Sequence, residues 1–289
     1  MSYVITIDNM GDLPESYISE HKLNVISLSY IIENRTYTRG NELDAHEFYE
    51  KMREGKVPTT SQFNPDQAAS VFSRIIEEQG CDIVHISVSS GISGSYSSAV
   101  IAANEVMEKY PGRRVVVIDS LCASMGEGLF IYKLVEMWED GASMDELVKW
   151  GEENKLHFCH NFTVEDLIYL YRGGRVSRTS AIMGGMLDIK PVLHVNNEGK
   201  LVPVGKKRGR RRSLDALVDN MEENMGSYRD KCDMFFISHG DTEDDAKYVI
   251  DKIRSRFGIE KYMTNCIGPT IGAHAGPGTI ALFYIGEKR

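Results

Sequence analysis

The sequence predicts a two-domain α/β protein: a three-layer α/β/α domain with a parallel sheet, followed by a two-layer α/β domain with a mixed sheet. Three observations support this fold class. The first half alternates β-branched strands with an amphipathic helix, the second half contains several strands in succession, and 289 residues suffice for two ordinary domains. The polar stretch 151–155 separates the halves, so we expect domains at 1–155 and 156–289.

Four segments of the first half have the composition of strands. Residues 82–89 and 114–119 are β-branched runs bounded by turn residues, which is typical of buried parallel strands. Residues 3–8 and 24–32 are the other two. We expect a helix over residues 95–110, with an apolar face that carries Tyr96, Ala99, Val100, Ala103, Val106, Met107 and Tyr110. This β-α-β pattern predicts a parallel sheet covered by helices.

The second half is richer in strands. We expect them at residues 157–164, 190–195, 201–206, 234–238, 263–268 and 280–285. Asn196-Asn-Glu-Gly199 predicts a hairpin turn between two of them. Two helices interleave, one around Leu217 and one around Ile250. The expected result is a mixed sheet with helices on one face.

Composition excludes several classes of partner and location. The formal net charge is −9, which argues against nucleic acid and against broad adsorption to anionic membranes. The N-terminus lacks the features of a signal peptide, and no apolar run is long enough for stable membrane insertion. Five scattered cysteines without a C-x-x-C pair suit reduced thiols. We therefore expect a cytoplasmic protein.

A first candidate site precedes a predicted helix start. Asn64 has the character of an N-cap, Pro65 takes the first helical position, and Gln67 completes a capping box. Thr60 and Ser61 lie just before it, where free N–H groups and hydroxyls favour an anion. From spacing alone, simple capping is favoured over binding by about two to one.

A second candidate is the segment Ser89-Ser-Gly-Ile-Ser-Gly-Ser95, which follows a strand and opens a helix. This is the usual ligand edge of an open α/β sheet. Gly91 and Gly94 allow close approach to the backbone, and Ser93 can donate a hydrogen bond. The segment lacks the final glycine of a nucleophile elbow, and the chain has no P-loop. A tight serine-rich turn is the alternative, and the position on the sheet favours binding.

A third candidate is the stretch 268–278, which we expect to be a glycine- and proline-rich loop between two strands. His274 is its only titratable side chain. A lone loop histidine is usually an ordinary hydrogen-bonding residue, but the surrounding glycines indicate that another group comes close to this backbone.

Two basic groups complete the candidates. Arg172, Arg175 and Arg178 flank a Gly-Gly turn, and Ser177 is placed to cap a following helix. These arginines could bind phosphate or contact a partner. Internal salt bridges with acidic residues are an equally good interpretation. The run 206–212 is either a solvated strand end or a docking patch for an acidic partner.

Metal ligation is not expected. His157, Cys159 and His160 are close in sequence, but alternation along a strand turns His160 away from the other two. Neither H-E-x-x-H nor C-x-x-C occurs. The residues alone therefore predict a two-domain α/β binder with an anion site.

Taken in order, these segments resemble the bacterial DegV family of fatty-acid-binding proteins. The match spans essentially the whole chain, and five motifs in register are specific although each alone is weak. Phe63-Asn64 departs from the Pro-Ser typical of the family, which alters the approach to the following helix. The matching stretches are Thr60-Ser61-Gln62, Ser89 to Ser95, Asp119-Ser120 with Ser124-x-Gly126-x-Gly128, Arg172-Gly-Gly-Arg175-Val-Ser177, and Ile271-Gly-x-His274-x-Gly-Pro-Gly278.

The resemblance implies a long-chain fatty acid in a cleft between the domains, with no catalytic residue, metal or cofactor. The carboxylate is expected on hydroxyls and a histidine. Some family members present the fatty acid to a separate kinase that makes an acyl phosphate for phospholipid synthesis, and Arg172 is then the expected kinase contact. The ligand site we predict consists of Thr60, Ser61, Gly91, Ser93, Gly94 and His274.

Other functions remain open. Ser93 as nucleophile and His274 as base would make an esterase or acyltransferase. A small-ligand or phosphosugar binder is possible on the same scaffold, because the kinases of dihydroxyacetone share related architecture. A further alternative is a protein-interaction or regulatory module, which the basic run around Arg210 supports. If His274 is protonated in the complex, fatty-acid binding weakens as the pH rises.

Overall fold

The first half of the chain is built on a four-stranded parallel sheet. The computed structural model describes residues 2–177 and 188–289. The strand order is β2-β1-β6-β7. Every residue of β6 is buried, as expected for a β-branched strand covered on both faces. The predicted parallel sheet is confirmed. Its strands are Tyr3–Asp8 (β1), Asn24–Ile26 (β2), Asp82–Ser87 (β6) and Val115–Asp119 (β7).

Helices cover both faces of this sheet. They are Glu15–Glu20 (α1), Pro65–Gln79 (α3), Ser95–Lys109 (α4), Met125–Glu139 (α5) and Met144–Asn154 (α6). The helix between α1 and α3, Ala45–Arg53 (α2), packs instead in a separate cluster with Tyr30 and Ile32. On one face, Phe72 of α3 and Ala99 of α4 pack in one core with Ile83. On the other, Leu129 of α5 packs in a second core with Ile5. The three-layer architecture follows from these two cores.

The predicted single strand over residues 24–32 is wrong, because the chain changes sheets after β2. The side chain of Asn9 accepts a hydrogen bond from Leu28 N at 2.8 Å and donates one to Leu28 O at 3.4 Å. These bonds satisfy the Leu28 backbone at the change of sheet. The chain then enters a separate antiparallel sheet of order β4-β3-β5, formed by Ser29–Ile32 (β3), Arg35–Tyr37 (β4) and Thr59–Ser61 (β5).

The second half contains a mixed sheet of order β10-β9-β8-β13-β11-β12. Strands β11 and β12 pair in parallel, and the other neighbours pair antiparallel. The predicted hairpin is confirmed, because β9 and β10 pair antiparallel across the turn at Asn196. The strands are Phe158–Thr163 (β8), Ile189–Val195 (β9), Leu201–Arg208 (β10), Met234–His239 (β11), Lys261–Cys266 (β12) and Ile280–Ile285 (β13).

The remaining helices are Ile168–Arg172 (α7), Arg210–Met225 (α8), Glu243–Phe257 (α9) and Pro269–Ala275 (α10). Helices α8 and α9 cover one face of the mixed sheet, where Leu217 and Ile253 join its core. Helix α5 of the first half packs against β8, β11 and β13 from the other side. The two sheets therefore share α5, and one core runs through both halves.

The predicted domain boundary at residue 155 stays a prediction. It falls between the end of α6 and a short 3-10 helix, Lys155–His157, that leads into β8. Within residues 2–177 and 188–289, no helix has the length and apolar character needed to cross a membrane.

Candidate functional site

A cavity of about 350 Å³ lies between the two halves of the molecule. Its size is within the range of ligand pockets, about 300–1,000 Å³. None of the described residues that line it is acidic. The apolar wall comes from both halves: Met10, Leu28, Ile92, Ala123, Phe162, Leu170, Val195, Leu201, Ile267, Ile271, Ala275, Ala281 and Phe283.

The strand β5 holds the first predicted site residues. Thr60 pairs with Tyr30, and Ser61 pairs with Ser29, so both side chains are placed by the small antiparallel sheet. Both residues line the cavity. The capping box predicted for α3 is confirmed, with Asn64 and Gln67 bonding each other's backbone N–H groups. Since that helix start is already capped, it does not supply the free donors expected beside Thr60 and Ser61.

The serine- and glycine-rich loop after β6 supplies Ser93. Its Oγ lies 2.9 Å from Ser95 Oγ and accepts a hydrogen bond from Ser95 N at 3.2 Å, while the side chain lines the cavity. The predicted glycines do not line the cavity. A Cβ on Gly91 would lie 2.5 Å from the carbonyl oxygen of Glu198, and a Cβ on Gly94 would collide with the side chain of Gln62. These glycines let the hairpin turn and Gln62 approach the loop.

His274 lies on a short helix, and the expectation of an irregular loop over residues 268–278 is wrong. Gly268 is the N-cap of α10, Pro269 begins the helix, and Gly276 ends it with a φ of 82°. Proline at the first position and glycine after the last are favourable helix boundaries. The glycine and proline content that indicated a loop therefore marks the two ends of a helix.

The imidazole of His274 joins two distant parts of the chain. Nε2 lies 2.8 Å from Thr60 Oγ1. Nδ1 is buried and has no hydrogen-bond partner in the described part of the chain. It faces Gly173, where any Cβ would collide with it. The lack of a side chain at Gly173 therefore allows the imidazole of His274 to pack directly against the Gly-Gly turn after α7.

Electrostatics keep His274 uncharged. Burial, and then the charge of Arg175, lower the pKa of His274 to about 4. A buried N–H without a partner costs more than an unpartnered acceptor, so the proton belongs on Nε2. Nε2–H then donates to Thr60 Oγ1, which leaves the Thr60 hydroxyl proton free to donate into the cavity.

Arg175 supplies the positive charge at this end of the cavity. Its Nε donates to the Ile92 carbonyl at 3.1 Å, and its Nη1 donates to the Gly173 carbonyl. Burial lowers its pKa, and no carboxylate among the described residues pairs with it. In the sequence, Arg175 is only one member of an arginine cluster, because spacing alone does not reveal which arginine points inward.

Arg172 lies outside the cavity and is exposed. It lines a separate outer pocket of about 200 Å³ together with Val57 and Tyr169. Thr60, Arg175 and His274 line both spaces, so they form the wall between them. Arg178 and the helix expected after Ser177 lie outside the described residues.

The cavity wall contains further polar groups that the sequence motifs did not predict as site residues. Gln62 lines it and donates to Ser98 Oγ at 3.2 Å. His160 lines it too, and its Nε2 accepts from Ala123 N at 3.2 Å. Ser124 donates to Asp12 at 2.5 Å. Gly126, two residues after Ser124, is a sequence signal for this contact, because a Cβ there would collide with the His160 ring.

Three buried carboxyl groups lie behind the Ser124 side of the cavity. Burial raises the pKa of Asp8 to about 6 and that of Asp12 to about 7, and it raises the pKa of Glu127 well above its usual value. Asp12 accepts from Ser124 Oγ and, at 2.9 Å, from Gly268 N at the start of α10. Asp12 therefore ties the helix that carries His274 to the first half.

Metal ligands converge at one exposed place in the described chain, formed by His46, Glu50 and Asp241. Arg53 already forms ion pairs with Glu50 at 2.6 Å and with Asp241 at 2.5 Å. His46 also pairs with Asp241, at 3.0 Å. This group is a bridge between α2 and the loop after β11, and it lies apart from the cavity lining.

The fold and the cavity define a class of protein: two α/β halves that hold a mainly apolar cavity between them, with hydroxyls, an imidazole and a guanidinium at one end. The family model described as "Uncharacterised protein, DegV family" matches residues 2–287, and the chain belongs to the DegV family. The resemblance inferred from the motifs is confirmed.

Individual relatives are similar to this chain over nearly their full lengths. A DegV domain-containing protein of Clostridium perfringens is 38% identical over 99% of this chain and 98% of its own. The solved structure of a DegV family protein from Thermus thermophilus, described by its fatty acid binding, is 27% identical with a TM-score of 0.87 and covers 99% of this chain and 100% of its own. A stearic-acid-binding protein from Eubacterium ventriosum is 26% identical with a TM-score of 0.89 and 99% coverage of both chains.

Proposed function

We propose that the cavity binds one long-chain fatty acid, with the carboxylate at the Thr60–His274 end and the acyl chain along the apolar wall. The observation that carries this proposal is the space of about 350 Å³ whose described lining is apolar except for uncharged polar groups and one guanidinium. The relatives described as fatty-acid- and stearic-acid-binding support the same ligand class. A small polar ligand or phosphosugar would leave most of this wall unused.

The energetics suit an amphiphile with a long tail. Each buried CH₂ contributes about 0.8 kcal/mol, so about fourteen methylenes contribute roughly 11 kcal/mol before ordering and association costs. A carboxylate resists burial unless it is hydrogen-bonded or paired. The tail therefore supplies affinity, and the polar end determines which terminus enters.

The carboxylate would receive its hydrogen bonds from Thr60, Ser93 and Arg175, with Ser61 beside them. The Thr60 hydroxyl proton is free once His274 Nε2–H donates to its oxygen. Arg175 brings a full positive charge and N–H donors beyond those used on Ile92 and Gly173. Gly91 and Gly94 would act by shaping the loop that presents Ser93.

We propose that the protein binds without catalysing a reaction. A serine hydrolase needs its nucleophile and base in hydrogen-bond reach, with a third group that orients the base. Here Ser93 bonds to Ser95, and His274 bonds to Thr60 with no acidic partner on Nδ1 among the described residues. Covalent labelling of Ser93 by a fluorophosphonate would instead support the esterase alternative.

The ligand is tested by extracting the protein, purified from a bacterial host, with organic solvent and analysing the extract by mass spectrometry. We expect a near-stoichiometric fatty acid. Ser93→Ala should lower its occupancy, whereas Ser97→Ala, at an exposed serine in the first turn of α4, should not. Absence of lipid together with no uptake of added fatty acid would contradict the proposal.

We further propose that a separate fatty-acid kinase reaches the carboxylate through the outer pocket beside Arg172. The wall formed by Thr60, Arg175 and His274 is the part of the site that both spaces share. Arg172→Ala should weaken kinase binding and acyl-phosphate formation while leaving fatty-acid affinity unchanged. Arg74→Ala, an exposed arginine on α3, is the matched control. Equal losses in both variants, or no loss in Arg172→Ala, would contradict this contact.

A further inference from the structure

A groove of about 360 Å³ lies on the face of the mixed sheet opposite the fatty-acid cavity, between α8 and the strands β9 and β10. The period of two along β8 separates the two spaces. His160 and Phe162 line the cavity, while Asn161 between them lines the groove. The polar residues of the groove are Asn161, His194, Lys206, Lys207, Asn220, Glu223, Asn224 and Arg289.

The groove is positively charged within an acidic protein. Lys206 and Lys207 are exposed on the edge strand β10 and form no ion pair within the described residues. Glu223 is the single carboxylate among the described lining residues. The chain as a whole carries a formal charge of −9, so the excess of basic side chains in this groove is opposite in sign to the net charge of the protein.

Arg289 adds a charge that no carboxylate among the described residues pairs with. It lines the groove, and its guanidinium donates only to uncharged acceptors: the carbonyls of Leu121, Lys155, Phe158 and Asn196, and Cys122 Sγ. No carboxylate in the described chain pairs with it. Burial, and then this charge, lower the pKa of His194, whose imidazole is therefore neutral. These bonds use all five guanidinium N–H groups, so Arg289 would attract an anion in the groove through its charge without a direct hydrogen bond.

The side-chain carboxamides of Asn161 and Asn220 are fixed by hydrogen bonds and still have unused N–H donors. Asn220 Nδ2 lies 3.5 Å from Asn161 Oδ1, and Asn161 Nδ2 donates to the Tyr284 hydroxyl. That hydroxyl lies 3.4 Å from the Asn220 carbonyl. Each carboxamide has two N–H donors, so one remains on both asparagines. Ammonium groups next to fixed N–H donors are a combination that suits phosphate oxygens.

We propose that this groove is a second binding site, which takes a small soluble molecule carrying phosphate groups, on the lysines of β10 and the asparagines of β8 and α8. The site does not depend on what fills the cavity between the domains, because the two spaces open on opposite faces of the sheet. It also gives a role to Lys206 and Lys207, which the proposed fatty-acid site does not use.

The test is a titration of the ¹⁵N-labelled full chain, with its cavity loaded with fatty acid, using inorganic pyrophosphate as the probe. We expect saturable shifts at residues 192–194 and 204–207 and at the side-chain amides of Asn220 and Asn224. Lys206→Ser with Lys207→Ser should weaken this binding about tenfold, as expected for lost charge-assisted hydrogen bonds. Lys247→Ser with Lys261→Ser, two exposed lysines elsewhere, should leave it unchanged.

Three outcomes would overturn the proposal. They are the absence of saturable shifts in the wild-type chain, an equal loss in the two double variants, which would indicate charge screening alone, and equally tight binding of citrate, which would contradict the phosphate class. Fatty-acid occupancy, measured on the same samples, separates any of these from a failure of the lipid site.

Discussion

The hydroxyl of Thr60 lies 2.8 Å from Nε2 of His274, although 214 residues separate them in the chain. Thr60 comes from a three-residue strand of the small sheet, and His274 comes from a seven-residue helix of the second half. Neither element would form a stable structure alone. The contact therefore reports how the two halves are packed, and it orients the threonine proton towards the cavity.

Removing the Thr60 hydroxyl should weaken fatty-acid binding. Thr60→Val keeps the shape and β-branching but deletes a donor to the carboxylate, and hydrogen bonds to charged groups contribute about 1.5–3 kcal/mol. We expect the Kd, measured by displacement of a fluorescent fatty acid, to rise about tenfold or more. Thr59→Val, at the exposed neighbouring position, should leave the Kd unchanged.

Gly173→Ala should act on binding through His274. The backbone of Gly173 has a φ of −73°, which alanine adopts freely, so the added Cβ exerts its effect by colliding with Nδ1 of His274. Affinity for fatty acid should fall, and the melting temperature should fall with it, because the collision is with a buried ring. Gly205→Ala, where a Cβ meets nothing, is the control.

The double variant distinguishes this route from a general disturbance of the turn. Gly173→Ala combined with His274→Ala should bind no more weakly than His274→Ala alone, because the collision has been removed. An additive loss would show that Gly173 matters for another reason.

Binding should take up no proton near neutral pH. The pKa of His274 is lowered to about 4, so the imidazole is uncharged above that pH, and Arg175 already provides a charge for the carboxylate. Calorimetric titrations at pH 7 in buffers of different ionisation enthalpy should give the same binding enthalpy. Uptake of one proton would instead show an imidazolium in the complex, with affinity falling as the pH rises.

Arg175→Met should lower affinity more than Arg175→Lys. Methionine keeps an apolar stem but removes the charge that faces the carboxylate, and lysine keeps the charge while losing the planar donor set. We expect a loss of about tenfold or more for methionine. Similar affinities for methionine, lysine and wild type would assign Arg175 a purely structural role on Ile92 and Gly173.

Glu127→Gln should stabilise the protein, and increasingly so at higher pH. Burial raises the pKa of Glu127, so the folded state keeps a proton that the unfolded chain releases above about pH 4.5. Stability is therefore lost as the pH rises, by up to about 1.4 kcal/mol per pH unit. Denaturant unfolding at pH 5 and pH 8 should show a larger gain at pH 8. Glu136→Gln, on the same helix, exposed and paired with Lys133 rather than with a histidine, should show no such trend.

Local patterns predicted the secondary structure well wherever one physical rule dominated. The capping box of Asn64 and Gln67 and the β-branched strands are examples, because caps and buried strands depend on short-range spacing. The failures occurred where a distant side chain decided the outcome. The side chain of Asn9 forms hydrogen bonds with the backbone of Leu28, where the predicted strand is interrupted. The sequence of residues 24–32 does not contain Asn9, so its pattern could not predict this interruption.

The same division holds for the candidate site. Five motifs in register were enough to indicate the DegV family, and they named Thr60, Ser61, Ser93 and His274, all of which line one cavity. They did not distinguish Gly91 and Gly94, which shape the loop, from residues that face the cavity, nor did they identify Arg175 as the inward arginine.

The sequence by itself determined the alternation of strands and helices, the acidic character of the chain, its helix caps and its family, because these depend on residue type and on spacing along the chain. Tertiary structure alone decided that Arg175 faces the cavity, that His274 is neutral, and that α5 is shared by the two sheets. Side-chain direction, burial and pKa depend on which distant elements pack together, and that packing is a property of the whole fold.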